Sequence, residues 1–238
     1  MQNTSALYKS IVAGNNHWFE TKITIAGTEV AETGIKSLSR SNPGLDSNLP
    51  TVGGALSSEL SLVIFDTSVA IPRMAEICVY YRACNASQQS EWLQAGVYYV
   101  DTRKKNESVG AIGSVSISAY DAMMKFEQDY PSTNHAWPYA DMSVITEMAS
   151  AVGVSVDSRT SGFITAGHMI ELPSNYTMRE VLGRIAAMYA GNFVISAEGK
   201  LLFVPLYGLT DDLVSGYYLA DENGNALTFG NEGWYILV

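Results

Sequence analysis

From residue 114 to residue 119 the chain alternates strictly: Ser114, Ser116 and Ser118 are interleaved with Val115, Ile117 and Ala119. A period of two gives one wetted face and one buried face, so this stretch is a strand. No helix gathers alternate residues on one side. The runs 60–65, 77–81 and 92–100 have the same extended character. From Thr21 another strand signature begins, with Ile23, Ile25 and Val30 around the turn Ala26-Gly27-Thr28. The first ~120 residues therefore predict an antiparallel barrel or sandwich. Between two of these strands lies a Pro/Gly/Asn-rich loop over 41–55, of a length that usually serves function or assembly.

After Ala119 the period changes to that of helices. A short helix is expected over 120–126, capped by Asp121 and stopped before Pro131. A second is expected over 141–152, where Val144, Ile145, Met148, Ala149 and Val152 make an apolar stripe and Gly153 closes the end. A third is expected over 178–190. Thr177 and Glu180 form a capping box ahead of it, Val181, Leu182, Ile185, Ala186 and Tyr189 form its buried face, and Gly191 ends it. A hairpin over 193–204 follows directly, turning at Ala197-Glu198-Gly199. The last stretch, 217–238, reads as two or three strands. It is too short to bury a core alone, so it is expected to return to the first barrel.

The expected class is α+β, mainly β. The expected organisation is a weakly patterned amino-terminal arm over 1–20, a barrel with a short helix over 21–134, an α/β segment over 135–212, and returning strands over 213–238.

Charge narrows the function. Against 14 Lys and Arg stand 24 Asp and Glu, a net charge of −10. Phosphate backbones require cationic contacts, so specific nucleic-acid binding is excluded. Charged residues are 16% of the chain, well below the ~25% of an ordinary domain, which suits a subunit that hides surface in an assembly. No uncharged apolar run reaches ~18 residues, so no membrane anchor is expected. Met1-Gln2-Asn3-Thr4-Ser5 lacks the basic and apolar regions of a signal peptide, so synthesis in a cytoplasm is expected.

Catalytic and metal motifs are weak. His17 with Glu20, and His168 with Glu171, have H-x-x-E spacing, but ligands at that spacing converge only on a helix and both pairs fall in extended or irregular segments. His135 lies in a proline-containing loop. Cys78 and Cys84 would share one strand face about 20 Å apart, too far for a disulfide, and read as buried free thiols. Asp221, Asn223, Asn225 and Glu232 match positions of a calcium loop, but Ala226 stands where glycine is needed and Asn-Gly is a hairpin signal. Asp211-Asp212 reads as a solvated linker pair. No catalytic residue, cofactor site or metal site is assigned, and the chain is read as non-enzymatic.

Aromatic doublets recur at Tyr80-Tyr81, Tyr98-Tyr99 and Tyr217-Tyr218. In a strand one member of each faces outward. These outward tyrosines, with Trp18, Trp92, Trp137 and Trp234, suit protein-interface anchors better than a sugar platform.

The blocks TKITIAGTEV (21–30), GGALSSELSLVIF (53–65), SEWLQAGVYYVD (90–101) and VSISAYDAMMKF (115–126) occur in order. With MSVITEMASAVGV (142–154) and the capped helix running into a hairpin over 173–205, they resemble the prophage tail-tip baseplate-hub proteins of Gram-positive bacteria. That family is similar to the hub of T-even contractile phages. The resemblance implies tail-tube-like β-barrels with inserted helices and a homotrimer around a DNA channel. It also implies a place in the virion tail, with the tail tube or distal tail protein and the tip or spike protein as neighbours. Larger hubs carry a lytic or adhesive region downstream; the apolar end at Tyr235-Ile236-Leu237-Val238 is expected to mark either a hub core alone or a longer hub cut before that region. Two alternatives come from other classes: a glycan- or protein-binding β-module, favoured by tryptophans in one groove, and a cell-wall hydrolase, which needs a pocket of convergent titratable groups.

Overall fold

The computed structural model describes residues 4–41, 52–65, 71–106, 113–131, 136–206, 228–229 and 234–235. Residues 1–206 form one compact unit and 207–238 another.

In chain order the first unit contains α1 (Ala6–Ala13), β1 (Trp18–Ile25), β2 (Thr28–Val30), β3 (Ile35–Ser41), β4 (Gly54–Ala55), β5 (Glu59–Ile64), β6 (Glu76–Cys84), β7 (Leu93–Asn106) and β8 (Ser114–Asp121). Then follow β9 (Tyr139–Ala140), α2 (Asp141–Ala151), α3 (Thr160–Phe163), β10 (Met169–Ile170), α4 (Met178–Met188), β11 (Gly191–Ile195) and β12 (Leu201–Pro205). Short 3₁₀ turns occupy Glu32–Gly34 and Ala122–Glu127.

One seven-stranded sheet dominates, in the order β2-β1-β6-β7-β8-β5-β3, and every pairing in it is antiparallel. Its two edge strands are consecutive in sequence. A flat sheet of this width would hold its edges about 29 Å apart. The link from Val30 to Ile35 spans at most about 18 Å. The sheet must therefore curl, and it forms an antiparallel half-barrel. Strand alternation fills its concave side with Ile23, Ile25, Leu60, Leu62, Ile64, Ile77, Val79, Val100, Val115 and Ile117. The turn between β1 and β2 is tight, pairing Ile25 with Thr28, and both Ala26 and Gly27 take positive φ (48° and 79°), as a two-residue hairpin turn requires.

A second buried cluster is built from helices. Val144, Ile145 and Met148 of α2 and Val181, Leu182 and Ile185 of α4 meet Phe193, Leu201 and Phe203 of the β11–β12 hairpin. This cluster also takes Ala55, Ala122, Met123 and Phe126 from earlier in the chain. Strand β4, out of the 41–55 loop, does not join the large sheet. It pairs in parallel with β11, Gly54 opposite Asn192 and Ala55 opposite Phe193.

Several local expectations shift. The arm over 1–20 contains α1, capped by the Ser5 hydroxyl on the Tyr8 N–H at 3.0 Å, and the start of β1. The helix after β8 is 3₁₀, with the Asp121 carboxylate accepting from the Met123 N–H at 3.0 Å. Helix α4 stops at Met188, and Ala190, not Gly191, takes the positive φ of 47°. Gly191 instead opens β11, where a Cβ would lie 2.4 Å from Phe203 Cζ. Glycine is needed there for close approach.

In the second unit the described residues form β13 (Thr228–Phe229) and β14 (Trp234–Tyr235), an antiparallel pair with Thr228 opposite Tyr235. Tyr217-Tyr218, the turn at 222–225, Asp211-Asp212, the calcium-loop residues and His135 lie outside the described residues.

Candidate interaction surface

The sequence-flagged polar residues do not converge. His17 Nδ1 lies 2.8 Å from the Gly14 carbonyl, whereas Glu20 is bound by Arg82 at 2.6 Å. The Arg82 guanidinium holds the Glu20 carboxyl below its ordinary range. The His168 ring packs on Tyr189, with centroids 5.4 Å apart, and Glu171 is exposed. Among the described residues, no group of three or more His, Cys, Asp or Glu could hold a metal.

The cysteines are both free. Cys84 is buried as expected, but Cys78 is only half-buried, with Sγ 3.4 Å from Glu76 Oε1. Both stand on the convex face of β6, Cys78 opposite Thr24 and Cys84 opposite Trp18, so the alternation along the strand holds and only the depth of burial differs. Burial pushes both thiols up, so neither is an activated nucleophile.

The aromatic residues do converge, on the β1–β6 side of the half-barrel. Successive strand residues face opposite ways, so Trp18 and Phe19 project from opposite faces of β1, 49% and 51% exposed. On the concave side Phe19 meets Tyr81 and His17 edge-on, at 6.3 and 5.5 Å, and Tyr8 of α1 adds to Tyr81 at 6.3 Å. The position of α1 is fixed by Glu91, which accepts from the Ser5 N–H at 2.8 Å and the Ser5 hydroxyl at 2.6 Å. On the convex side the Trp92 ring carries Lys22 Nζ at 5.0 Å and the Arg82 guanidinium at 4.5 Å. Lys22 also lies 5.0 Å from the Tyr80 ring. Each such contact contributes about 0.5–1 kcal/mol at an exposed site. Each face of β1 and β6 thus carries an aromatic patch, the convex one with Arg82 and Lys22 stacked on it, a composition enriched at protein interfaces.

Among the concavities of the described residues, two hold sequence-flagged aromatic residues. The smaller, about 180 Å³, is lined by Arg40, Tyr81, Tyr98, Asp121 and Ser196. Its carboxylate is already occupied: Asp121 accepts from the Ser58 N–H at 2.7 Å, the Ser57 hydroxyl at 3.0 Å and the Met123 N–H. Burial raises its carboxyl against the pull of those donors. Arg40 donates to the Ala95 carbonyl. Asp121 and Arg40 therefore act as clamps between strands rather than as an acid–base pair. The larger, about 640 Å³, is lined by Tyr130, Trp137, Tyr176, Pro131, Pro173 and Asp129. The Tyr130 hydroxyl donates to Glu147 at 2.6 Å, and burial with this bond holds its proton well above the usual range.

Sequence reasoning missed one buried polar junction. Asp141, 1% exposed, accepts from the Met142 and His168 N–H groups at 2.6 and 3.0 Å and from the Tyr189 hydroxyl. Burial, then Asp141, pushes Tyr189 up to about 12. Aspartate at a helix start is the one sequence signal it offered.

No protein-family model matches the chain, and no curated protein matches it significantly by sequence. Solved structures do. A 43 kDa tail protein of prophage MuSo2 from Shewanella oneidensis superposes with a TM-score of 0.52 at 14% identity, over 82% of this chain and 58% of that protein. A tail protein from Neisseria meningitidis MC58 superposes with a TM-score of 0.50 at 12% identity, over 90% of this chain and 56% of that one. The chain thus spans little more than half the length of either. At this identity the likeness is one of fold: a mainly β structure with inserted helices, of the kind phage tail proteins adopt.

Proposed function

We propose that the chain is a non-enzymatic structural subunit of a phage tail: a tail-tip baseplate hub that joins tube to tip, three copies surrounding an axial channel. The observation that carries this reading is the curled antiparallel half-barrel, a fold shared with phage tail proteins over 82% of the chain. The aromatic patches on β1, β6 and Trp92, with Arg82 stacked on Trp92, supply a contact for a neighbouring tail protein. A net charge of −10 suits a conduit that DNA must slide through without sticking. The test is immunogold labelling of assembled particles in the electron microscope. Label at the distal end of the tail, with three copies per particle, supports the hub. Label on the capsid, or none on particles, overturns it.

A second reading has one observation in its favour. Tyr130, Trp137 and Tyr176 line one groove beside Asp129 and Asn175, an arrangement that suits a sugar ring stacked on an aromatic face. Calorimetric titration with cell-wall polysaccharide tests it: heat of binding abolished by Trp137→Ala supports a glycan-binding module, and no heat removes it.

A further inference from the structure

The half-barrel carries opposite charges at two different places. Strand β7 is the longest of the sheet and outruns its neighbour. Among the described residues its ladder to β6 ends where Tyr99 pairs with Glu76, followed by the bonds between Val100 and residues 74 and 75. The ladder to β8 continues to Asn106. The overhang carries Arg103, Lys104 and Lys105, all exposed, three of the chain's 14 Lys and Arg at consecutive positions. At one end of the sheet stands β2, which pairs with β1 alone among the described strands. There Glu29 and, just beyond, Glu32 are exposed. Glu29 lies opposite Thr24, whose neighbours Ile23 and Ile25 point into the core, so its carboxylate is on the convex side.

Basic side chains on a strand edge repel a like edge and admit an acidic one. We propose that the β7 overhang of one copy receives the acidic β2 edge of a second copy, Arg103 and Lys104 against Glu29 and Glu32. The occupant follows from charge: the rest of this acidic chain presents 11 cations against 24 anions, so a second copy is a better counterpart for the overhang than a basic partner. The two surfaces differ, so the contact is head-to-tail. Such contacts repeat, and they close into a ring when the rotation permits. The inference rests on the hub reading for its ring geometry, and it names the surfaces that would build that ring.

The test is sedimentation equilibrium of the full chain at low and high salt. The wild type associates, and salt weakens the association. Arg103→Glu with Lys104→Glu lowers the association constant by about ten- to a hundred-fold, since like charges now face each other. Glu29→Lys with Glu32→Lys does the same, and combining all four restores it. Circular dichroism confirms that each variant folds. A monomer at every concentration, an association indifferent to salt or to both reversals, or a four-fold variant that is not restored overturns the pairing. Tip labelling of particles that contain an indifferent variant overturns this pairing alone. Charge-swap rescue in solution, with no label on tails, overturns the hub reading alone.

Discussion

The half-barrel and the helix–hairpin region are stabilised by different means. In the half-barrel the buried set is almost wholly aliphatic and comes mainly from alternate positions of paired strands, with Tyr98 the one aromatic side chain among the described residues of its core. Each strand contributes by position, and the ladder supplies the geometry. In the helix–hairpin region the aliphatic side chains are joined by thioether and phenyl groups: Met123, Met148, Met178, Phe126, Phe193 and Phe203. The region is then pinned by single polar contacts between distant residues. Thr160 donates to the Leu201 carbonyl and accepts from the Phe203 N–H at 3.1 Å, and Asn192 accepts from the Gly54 N–H at 2.8 Å. A repeating ladder tolerates local error, whereas a region held by single pins depends on each one.

The largest test of this contrast is truncation within each core. Ile77→Ala in the sheet and Ile185→Ala in α4, at 0% and 1% exposure, each cost about 2–5 kcal/mol. Urea denaturation read by both near-UV and far-UV circular dichroism separates two outcomes. Coincident transitions in both variants make the regions one cooperative unit. A transition split only by Ile185→Ala makes the pinned region the first to open. No loss from Ile185→Ala would remove the buried assignment of α4.

A smaller effect is expected at Gly183 of α4. A Cβ there would stand 2.7 Å from the Gly53 carbonyl oxygen, so Gly183→Ala forces β4 away from α4. Overpacking of this kind costs about 1–3 kcal/mol. Hydrogen exchange should show protection lost at Leu56, whose N–H donates to the Phe193 carbonyl at 2.8 Å, with the half-barrel amides unchanged.

Acid should act on the pinned region through Asp157. Arg159 holds this carboxyl down at about 2, below its ordinary 3.8. A depressed carboxyl adds stability above its unfolded value and loses it as pH falls through the folded one. The contribution is therefore complete above about pH 4 and fades toward about pH 2. Because Arg159 is 45% exposed, solvent reduces it to about 1 kcal/mol. Asp157→Asn should flatten the stability profile across that window in urea titrations at stepped pH. An unchanged slope would assign the acid sensitivity elsewhere.

The smallest expected loss is at the start of α4. The Thr177 hydroxyl accepts from the Glu180 N–H at 3.2 Å, and Glu180 accepts from the Thr177 N–H at 2.8 Å. Thr177→Ala should cost about 1 kcal/mol in thermal denaturation. A null result would show that packing of α4 on the hairpin, rather than its cap, sets where the helix begins.

The sequence by itself determined what depends on near neighbours. The alternation over 114–119 specified a strand with Val115, Ile117 and Ala119 inward, because side-chain direction along a strand is set by covalent geometry. Thr177-x-x-Glu180 specified the start of α4, because a cap acts within one turn. The turn read at Ala26-Gly27-Thr28 specified the first hairpin, although Thr28 already belongs to β2. Tertiary structure alone decided what depends on residues far apart in the chain. It set the parallel seat of β4 on β11, the bulge in β7 opposite Val79 and Tyr80, and the stacking of Lys22 and Arg82 on Trp92. It also made Gly191 a contact glycine and left Ala190 to take the positive φ, because the aromatic ring that fills the space belongs to Phe203, on the far strand of the hairpin. Strand register and close approach are settled by which distant surfaces can pack together, and no local pattern records that choice.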